Sequence, residues 1–256
     1  MMTIYLDGKF LKVNAQIVEA FTPGSFKAKG VFETMLGTDG MVLDLDLHLK
    51  RLRQGLKALE IKLPTIAPSV LKKVLRSNHH TSTRVRLMVW QSTPEAGQAA
   101  LQVHVMAAAL PYQAPKECVY RVCLVKTDRA ASARFANVKS LDYGLFAKCY
   151  EMARNQGFDE ALLLNRRGHI FEASRANIFW IKDSVLYTPP LRSGCLNGIT
   201  RQQIIKHAKR LRTTVKEKDL TPKILKKADA AFLANSLIGI KAIDTFIGDM
   251  LEIKIA

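Results

Sequence analysis

The chain is short of acid. Against 39 lysines and arginines stand only 22 aspartates and glutamates, so its 256 residues carry a formal charge of +17. A field of that sign attracts nucleic acid, an anionic membrane surface or a small acidic ligand, without choosing among them. The cations are dispersed, with Lys72, Lys73 and Arg76 in one stretch, Lys206, Lys209, Arg210 and Arg212 in another, and Lys226 and Lys227 in a third. Each group reads as a solvated helix face. Cysteine is scarce as well. Cys118, Cys123, Cys149 and Cys195 form no C-x-x-C pair, which excludes a dense disulfide scaffold and fits a reducing cytoplasm. The adjacent His79 and His80 cannot converge on one ion unaided, and no H-x-x-x-H spacing supplies further ligands, so no metal is expected. There is no G-x-S-x-G elbow for a serine nucleophile, no low-complexity tract and no internal repeat. Long apolar runs are missing too: the stretch from Ala99 to Leu110 is broken by Gln102 and His104 and is too short to span a bilayer. The opening Met1-Met2-Thr3-Ile4-Tyr5-Leu6-Asp7 lacks the basic-then-apolar order of a secretory signal, and no membrane partner is expected.

What is present is an ordinary globular balance, 48% hydrophobic, with turn residues scattered along the chain. Asp7-Gly8 between two apolar stretches predicts an opening hairpin, because that dipeptide accepts positive φ. From His48 onward Leu49, Leu52, Leu56 and Leu59 recur at helical spacing, and Val70, Leu71, Val74 and Leu75 repeat the pattern. Val85, Leu87 and Val89, then Leu101, Val103 and Val105, alternate as strands do. Prolines between Pro111 and Pro115 mark a linker, and a new strand begins at Tyr120. The fold class is therefore α+β in two domains, residues 1–112 and 113–256. In the second, 141–156 reads as a helix closed by Gly157, and 161–164, 169–173, 177–181 and 185–188 as short strands. Helices follow at 200–211 and 221–228, the latter opening on Thr-Pro.

Three local features bear on chemistry. Gly198-Ile199-Thr200-Arg201 is a glycine-led entry to a helix, whose first N–H groups and positive dipole end suit a phosphate; it is equally an ordinary N-cap. Glu172 is a carboxylate among apolar strand residues, which must reach water or a partner such as a protonated ring nitrogen. Lys139, just before a helix, becomes a nucleophile if desolvated, although on these grounds it is one lysine among many.

Taken in order, these pieces become specific. The chain reads Lys139-Ser-Leu-Asp-Tyr143, then Gly157-Phe-Asp-Glu-Ala-Leu-Leu-Leu164, then Gly168-His-Ile-Phe-Glu172-Ala-Ser-Arg-Ala-Asn177-Ile-Phe179. Leu186-Tyr-Thr-Pro189 and Leu196-Asn-Gly198-Ile-Thr-Arg201 follow, and Gly30-Val-Phe-Glu-Thr34 and His48-Leu-Lys-Arg51-Leu52 stand upstream. This series resembles the fold-type IV pyridoxal-phosphate enzymes, a class IV aminotransferase-like family that includes branched-chain aminotransferases, D-amino-acid transaminases and aminodeoxychorismate lyases. The resemblance implies a small N-terminal α/β domain, a larger strand-rich domain that anchors pyridoxal 5'-phosphate, and a homodimer. It implies that Lys139 is the Schiff-base lysine and proton shuttle, that Glu172 holds the pyridinium proton and that Tyr143 lies near the cofactor's O3'. Arg51 with Ile199 and Thr200 would bind phosphate, and Asn177 would support the cofactor.

Within the family, Phe232-Leu-Ala-Asn235-Ser236-Leu-Ile-Gly-Ile240 is more similar to aminodeoxychorismate lyase than to transaminases, and so is Thr34 in the Phe-Glu-Thr segment. Asn235 and Ser236 are then cofactor-binding, and Thr34 is catalytic through substrate binding or proton relay. The implied reaction converts 4-amino-4-deoxychorismate to 4-aminobenzoate and pyruvate, a step of folate biosynthesis; a branched-chain or D-amino-acid aminotransferase is the alternative. A non-catalytic polyanion binder ranks lower, and nucleic acid is not expected, because no basic patch is interleaved with aromatics. The substrate is a small anion. Between Phe21 and Gly30 the chain departs from the family pattern, with Lys27 and Lys29 near positions where an acid is usual, and Ala173 stands where glycine is common.

Overall fold

The structure is a computed structural model that describes residues 1–25, 28–92, 101–116, 119–128, 135–244 and 250–252. Lys27, Cys118 and the start of the apolar run at Ala99 lie outside the described residues. The chain divides into two compact units: Met1–Ala114 with Val138–Gly144, and Pro115–Asn137 with Leu145–Ala256. The expected boundary at 112/113 compares with a division after Ala114. The return of Val138–Gly144 to the first unit has no counterpart in the sequence-based division.

In the first unit β1 (Met2–Leu6) and β2 (Lys9–Val13) form the expected hairpin, with Asp7 at φ 45° and Gly8 at φ 91°. After α1 (Ala15–Ala20) come β3 (Lys29–Thr38), β4 (Met41–Val42), α2 (Leu45–Ala58), α3 (Pro68–Asn78), β5 (Ser82–Gln91) and β6 (Val103–Pro111). The sheet runs β2-β1-β6-β5-β3-β4 with antiparallel neighbours throughout. The two leucine-rich periodicities are α2 and α3; Leu49, Leu52 and Leu56 of α2 and Leu71, Val74 and Leu75 of α3 are buried, as a stripe facing a core must be. Leu101 lies just outside β6, which begins at Val103.

In the second unit β7 (Val119–Tyr120) and β8 (Val122–Lys126) precede α4 (Gly144–Asn155). The short strands are β9 (Glu160–Leu164), β10 (Ile170–Ala173), β11 (Asn177–Lys182) and β12 (Val185–Thr188). Next come α5 (Ile199–Arg210), β13 (Val215–Glu217), α6 (Pro222–Leu225), β14 (Ala230–Asn235), β15 (Gly239–Ile243) and β16 (Met250–Glu252). They build two sheets, β10-β9-β8-β16 and β13-β12-β11-β14-β15-β7. Between these, Val122, Leu124, Leu162 and Ile170 of one sheet pack with Ile178, Trp180, Leu233 and Ile243 of the other. On the six-stranded sheet Phe179, Leu186 and Ala234 pack with Ala208 of α5. No helix among the described residues is long and apolar enough to cross a membrane.

Two helices are shorter than the periodicity predicts. Residues 141–143 are not helical: the Leu141 N–H donates to Gly30 O at 2.9 Å, and the Leu141 carbonyl, which a helix would offer four residues on, accepts the Gly24 N–H at 3.2 Å and the Tyr143 N–H at 2.8 Å. The last helix closes at Leu225 although Thr221 caps it as expected, accepting from the Ile224 N–H at 3.2 Å.

Gly30 is where that tie passes. A Cβ there would lie 2.5 Å from Val89 O and 2.7 Å from Leu141 Cδ1 and Trp90 Cβ, and backbone cannot yield as a side-chain tip can. Gly30→Ala is expected to lower stability by about 2 kcal/mol or more. A urea unfolding midpoint equal to that of the unsubstituted protein contradicts this account of the packing.

Candidate active site

In the first unit the site is built on the free edge of β3. The Phe32 N–H donates to Lys139 O at 3.0 Å, the Leu141 N–H to Gly30 O at 2.9 Å, and Val31 bridges Ser140 antiparallel. On the other side the Gly24 N–H donates to Leu141 O at 3.2 Å, with Gly24 at φ 92°. A segment with little regular structure of its own is thereby held as an extra strand. Lys139 Nζ lies 4.3 Å from the Phe32 ring centroid and 5.7 Å from that of Tyr143, and the two rings meet edge to face at 5.3 Å. The two rings give the amine an aromatic wall. Thr34, two residues beyond Phe32, projects from the same face of β3 and is half-buried opposite Arg86.

Glu33, between them, points the other way, under α2. It is fully buried, and Arg51 grips it by two edge donors, Nε to Oε1 at 2.8 Å and Nη2 to Oε2 at 2.6 Å. His48 Nδ1 shares Oε2 at 2.7 Å. Burial opposes ionisation of Glu33, but the adjacent Arg51 guanidinium and the His48 bond outweigh it and hold the carboxyl below its usual range. Breaking such a buried pair by removing one partner costs about 3–5 kcal/mol. Of these three residues, the family resemblance gives a role to Arg51 alone. Glu33 and His48 sit in the same two motifs, and the spacing H-x-x-R, which puts both side chains on one helix face, was the available signal.

Arg86 secures the start of the divergent Phe21–Gly30 stretch. It is buried, and its Nη1 donates to main chain at Phe21 O, 2.8 Å, and Val18 O, 3.4 Å, and to the Thr22 hydroxyl at 3.5 Å. Burial, with Arg84 nearby, brings its pKa down to about 10.

In the second unit a loop from Leu191 to Gly198 is held by three side chains acting on main chain. Glu172 Oε2 accepts the Leu196 N–H at 3.0 Å, and Asn177 Nδ2 donates to Leu196 O at 2.8 Å, so one residue is clamped at both its polar groups. Asn137 Nδ2 donates to Leu191 O at 3.0 Å and Cys195 O at 2.5 Å. The loop feeds α5 through Gly198, an N-cap with no side-chain cap bond, where an added Cβ would collide with Asn177 Oδ1. The leading N–H groups of α5, from Ile199 and Thr200, have no acceptor within the helix. Arg201, also buried, ties the same turn to Pro189 O at 3.1 Å and to Glu217 Oε2 at 3.2 Å.

Glu172, Asn177, Ile199 and Thr200 thus meet around one loop. Asn235 follows Ala234, the ladder partner of Asn177, and its side chain organises a turn, donating to Arg175 O at 2.9 Å and accepting from the Leu237 and Ile238 N–H groups at 2.8 and 2.9 Å. Ser236 is half-buried in that turn. Thr34, Arg51, Lys139 and Tyr143 are grouped on and beside β3 in the first unit. The cysteines offer no competing nucleophile among the described residues: burial pushes Cys123 up to about 11 and Cys149 and Cys195 up to about 12.

The Amino-transferase class IV family model matches residues 30–245. The chain is 28% identical over 250 residues, 94% of this chain and 86% of the relative, to the "Probable branched-chain-amino-acid aminotransferase" of Rickettsia bellii. It is also 28% identical to the aminodeoxychorismate lyase of Bacillus subtilis, over 93% of this chain and 84% of that one. A solved structure, the branched-chain aminotransferase from the archaeon Thermoproteus uzoniensis with norvaline, superposes with a TM-score of 0.80 at 29% identity, covering 96% of this chain and 88% of the other.

Glu160 is the buried acid that the motifs do not explain. It accepts from the Ser174 hydroxyl and from the Ala161 N–H at 2.9 Å, and burial raises its pKa despite those bonds. A carboxyl raised in the folded state stabilises fully below its ordinary pKa and loses that contribution as pH rises toward the folded value. Glu160→Gln, which keeps an acceptor and removes the titration, is therefore expected to gain in thermal stability over the unsubstituted protein between about pH 4 and about pH 7. A difference in Tm that stays constant across that range refutes the assignment.

Proposed function

The chain belongs to the class IV aminotransferase family, and from that premise we propose that it holds pyridoxal 5'-phosphate on Lys139 and cleaves 4-amino-4-deoxychorismate to 4-aminobenzoate and pyruvate. The observation that carries the reading is the pinning of Lys139 to β3, with its amine over Phe32 on the face that bears Thr34. The donor set suits the cofactor at each of its ends. A lysine amine stands against aromatic faces, a buried carboxylate is available for a cationic ring nitrogen, and an uncapped helix start with Ile199 and Thr200 suits a dianionic phosphate.

Pyridoxal phosphate supplies a ring that takes up the electrons left when the amine-bearing carbon loses its proton. Glu172 would hold the proton on that ring's nitrogen, Asn177 keeps the Leu196 turn in place, and Tyr143 would bind the phenolic oxygen. Arg51, the Ile199 and Thr200 N–H groups and the Thr200 hydroxyl would hold the phosphate, and Asn235 and Ser236 would bind the cofactor as well. Lys139 Nζ would remove the proton from the amine-bearing carbon. The bond from the ring carbon to the enolpyruvyl oxygen would break as the substrate ring becomes aromatic, the oxygen leaving with the enolpyruvate, and Lys139, or Thr34 as relay, would return a proton to its methylene carbon to complete pyruvate. Active protein is a homodimer of cytoplasmic location in this reading.

A branched-chain or D-amino-acid aminotransferase is the second reading, favoured by the Rickettsia relative, which is as similar as the lyase. The two separate on co-substrate. Purified protein is expected to show the visible band of lysine-bound cofactor, and Lys139→Ala to lose it together with at least roughly a hundredfold of turnover. Pyruvate should appear from aminodeoxychorismate with no amino acceptor added. Protein that stays colourless after reconstitution overturns the cofactor assignment, while 2-oxoglutarate-dependent turnover of branched-chain amino acids without pyruvate release overturns the lyase.

A further inference from the structure

Glu33 and His48 are buried ionisable groups that the proposed chemistry does not use. Glu33 is 0% exposed and His48 1%, and His48 Nε2 has no hydrogen-bond partner among the described residues. His48 Nδ1 is engaged by Glu33 Oε2, which leaves Nε2 as the buried ring nitrogen without a partner among the described residues. Holding a helix to a strand does not call for such a group, because apolar side chains of the same volume do so without burying charge. What apolar contact cannot do is set the plane of a guanidinium.

That plane is set here. The two parallel bonds from Nε and Nη2 to Glu33 leave the Arg51 guanidinium one orientation about its long side chain, with the Nη1 edge turned away from Glu33. His48, one helical turn before Arg51, holds Glu33 Oε2 as well, so the carboxylate cannot rotate out of the fork. Glu33 also directly follows Phe32, whose N–H holds Lys139 O and whose ring meets the Lys139 amine.

We propose that Glu33, braced by His48, is a positioning residue that aims Arg51 at the phosphate of pyridoxal phosphate, so that neighbouring residues of β3 set the lysine and the arginine in one register. This rests on the reading of Arg51 as a phosphate ligand.

The test compares equilibrium dissociation constants of the cofactor-free protein for pyridoxal phosphate and for pyridoxal, which share every feature except the phosphate. Their ratio isolates the phosphate handle, and apoprotein unfolding is followed alongside. Glu33→Gln is expected to reduce the preference for the phosphorylated ligand by about tenfold, the scale on which partners of a ligating side chain act, with pyridoxal binding unchanged. His48→Phe should reduce it by a smaller factor. The Glu33→Gln/Arg51→Gln double variant should be no worse than Arg51→Gln. Should Glu33→Gln fail to fold, His48→Phe decides by the same ratio. Equal weakening of both ligands, or an unchanged ratio in the Glu33 and His48 variants while Arg51→Gln loses it, overturns the positioning role and leaves the Arg51 assignment standing. An unchanged ratio in Arg51→Gln removes that assignment and the proposal with it. Protein that takes up neither ligand sinks the cofactor reading itself.

Discussion

The hydrogen bonds between the edge of β3 and Lys139–Leu141 are the constraint on which the candidate chemistry depends. A lysine side chain has four rotatable carbons and loses much entropy when its amine is confined, so a fixed backbone is needed before the amine can be fixed. Here the backbone is fixed as a strand is, by the Phe32 N–H on one side of Lys139 and the Gly30 carbonyl on Leu141 beyond it. A side chain at Gly30 would run into Val89 O of β5 and the Leu141 side chain, so the position takes glycine. With Leu141 held this way α4 starts only at Gly144, and Tyr143 stands before it with its ring against Phe32.

From this edge inward, the alternation of a β-strand sorts the roles. Phe32 meets the amine and Thr34 shares its face of the strand, while Glu33 faces α2 and engages Arg51 and His48. One three-residue segment thus addresses two different parts of the first unit. The second unit solves its positioning problem differently, by directing side chains onto main chain. Glu172, Asn177 and Asn137 all turn polar atoms to the 191–198 loop, which ends where α5 begins. Irregular backbone buried in this way must have its N–H and C=O groups satisfied, and amide and carboxylate side chains do that without imposing regular structure.

Two of the buried glutamates, Glu33 and Glu160, show how environment separates like groups. Glu33 is gripped by a guanidinium and an imidazole and stays ionised, whereas at Glu160 burial outweighs the Ser174 hydroxyl, the main-chain amides and the charge of Arg175 and pushes the carboxyl toward the neutral form. Neither outcome is readable from residue type. The large positive charge is likewise not consumed by the site, where Arg51 and Arg201 are each balanced by a glutamate.

What the sequence determined by itself was everything that depends on near neighbours and on order. The spacing of Leu49, Leu52 and Leu56 made α2, Asp7-Gly8 made the first hairpin, Thr221 started α6, and the succession from Lys139 to Arg201 marked the family. The tertiary structure alone decided that 138–144 groups with the first unit, that the helix expected from Leu141 starts at Gly144, and that Glu33 meets residues 15 and 18 positions away. Periodicity carries information over a turn or two of chain. A hydrogen bond to a strand edge more than a hundred residues upstream, such as that of Lys139, depends on which backbone is left unpaired once the sheet has formed, and only the folded chain specifies that.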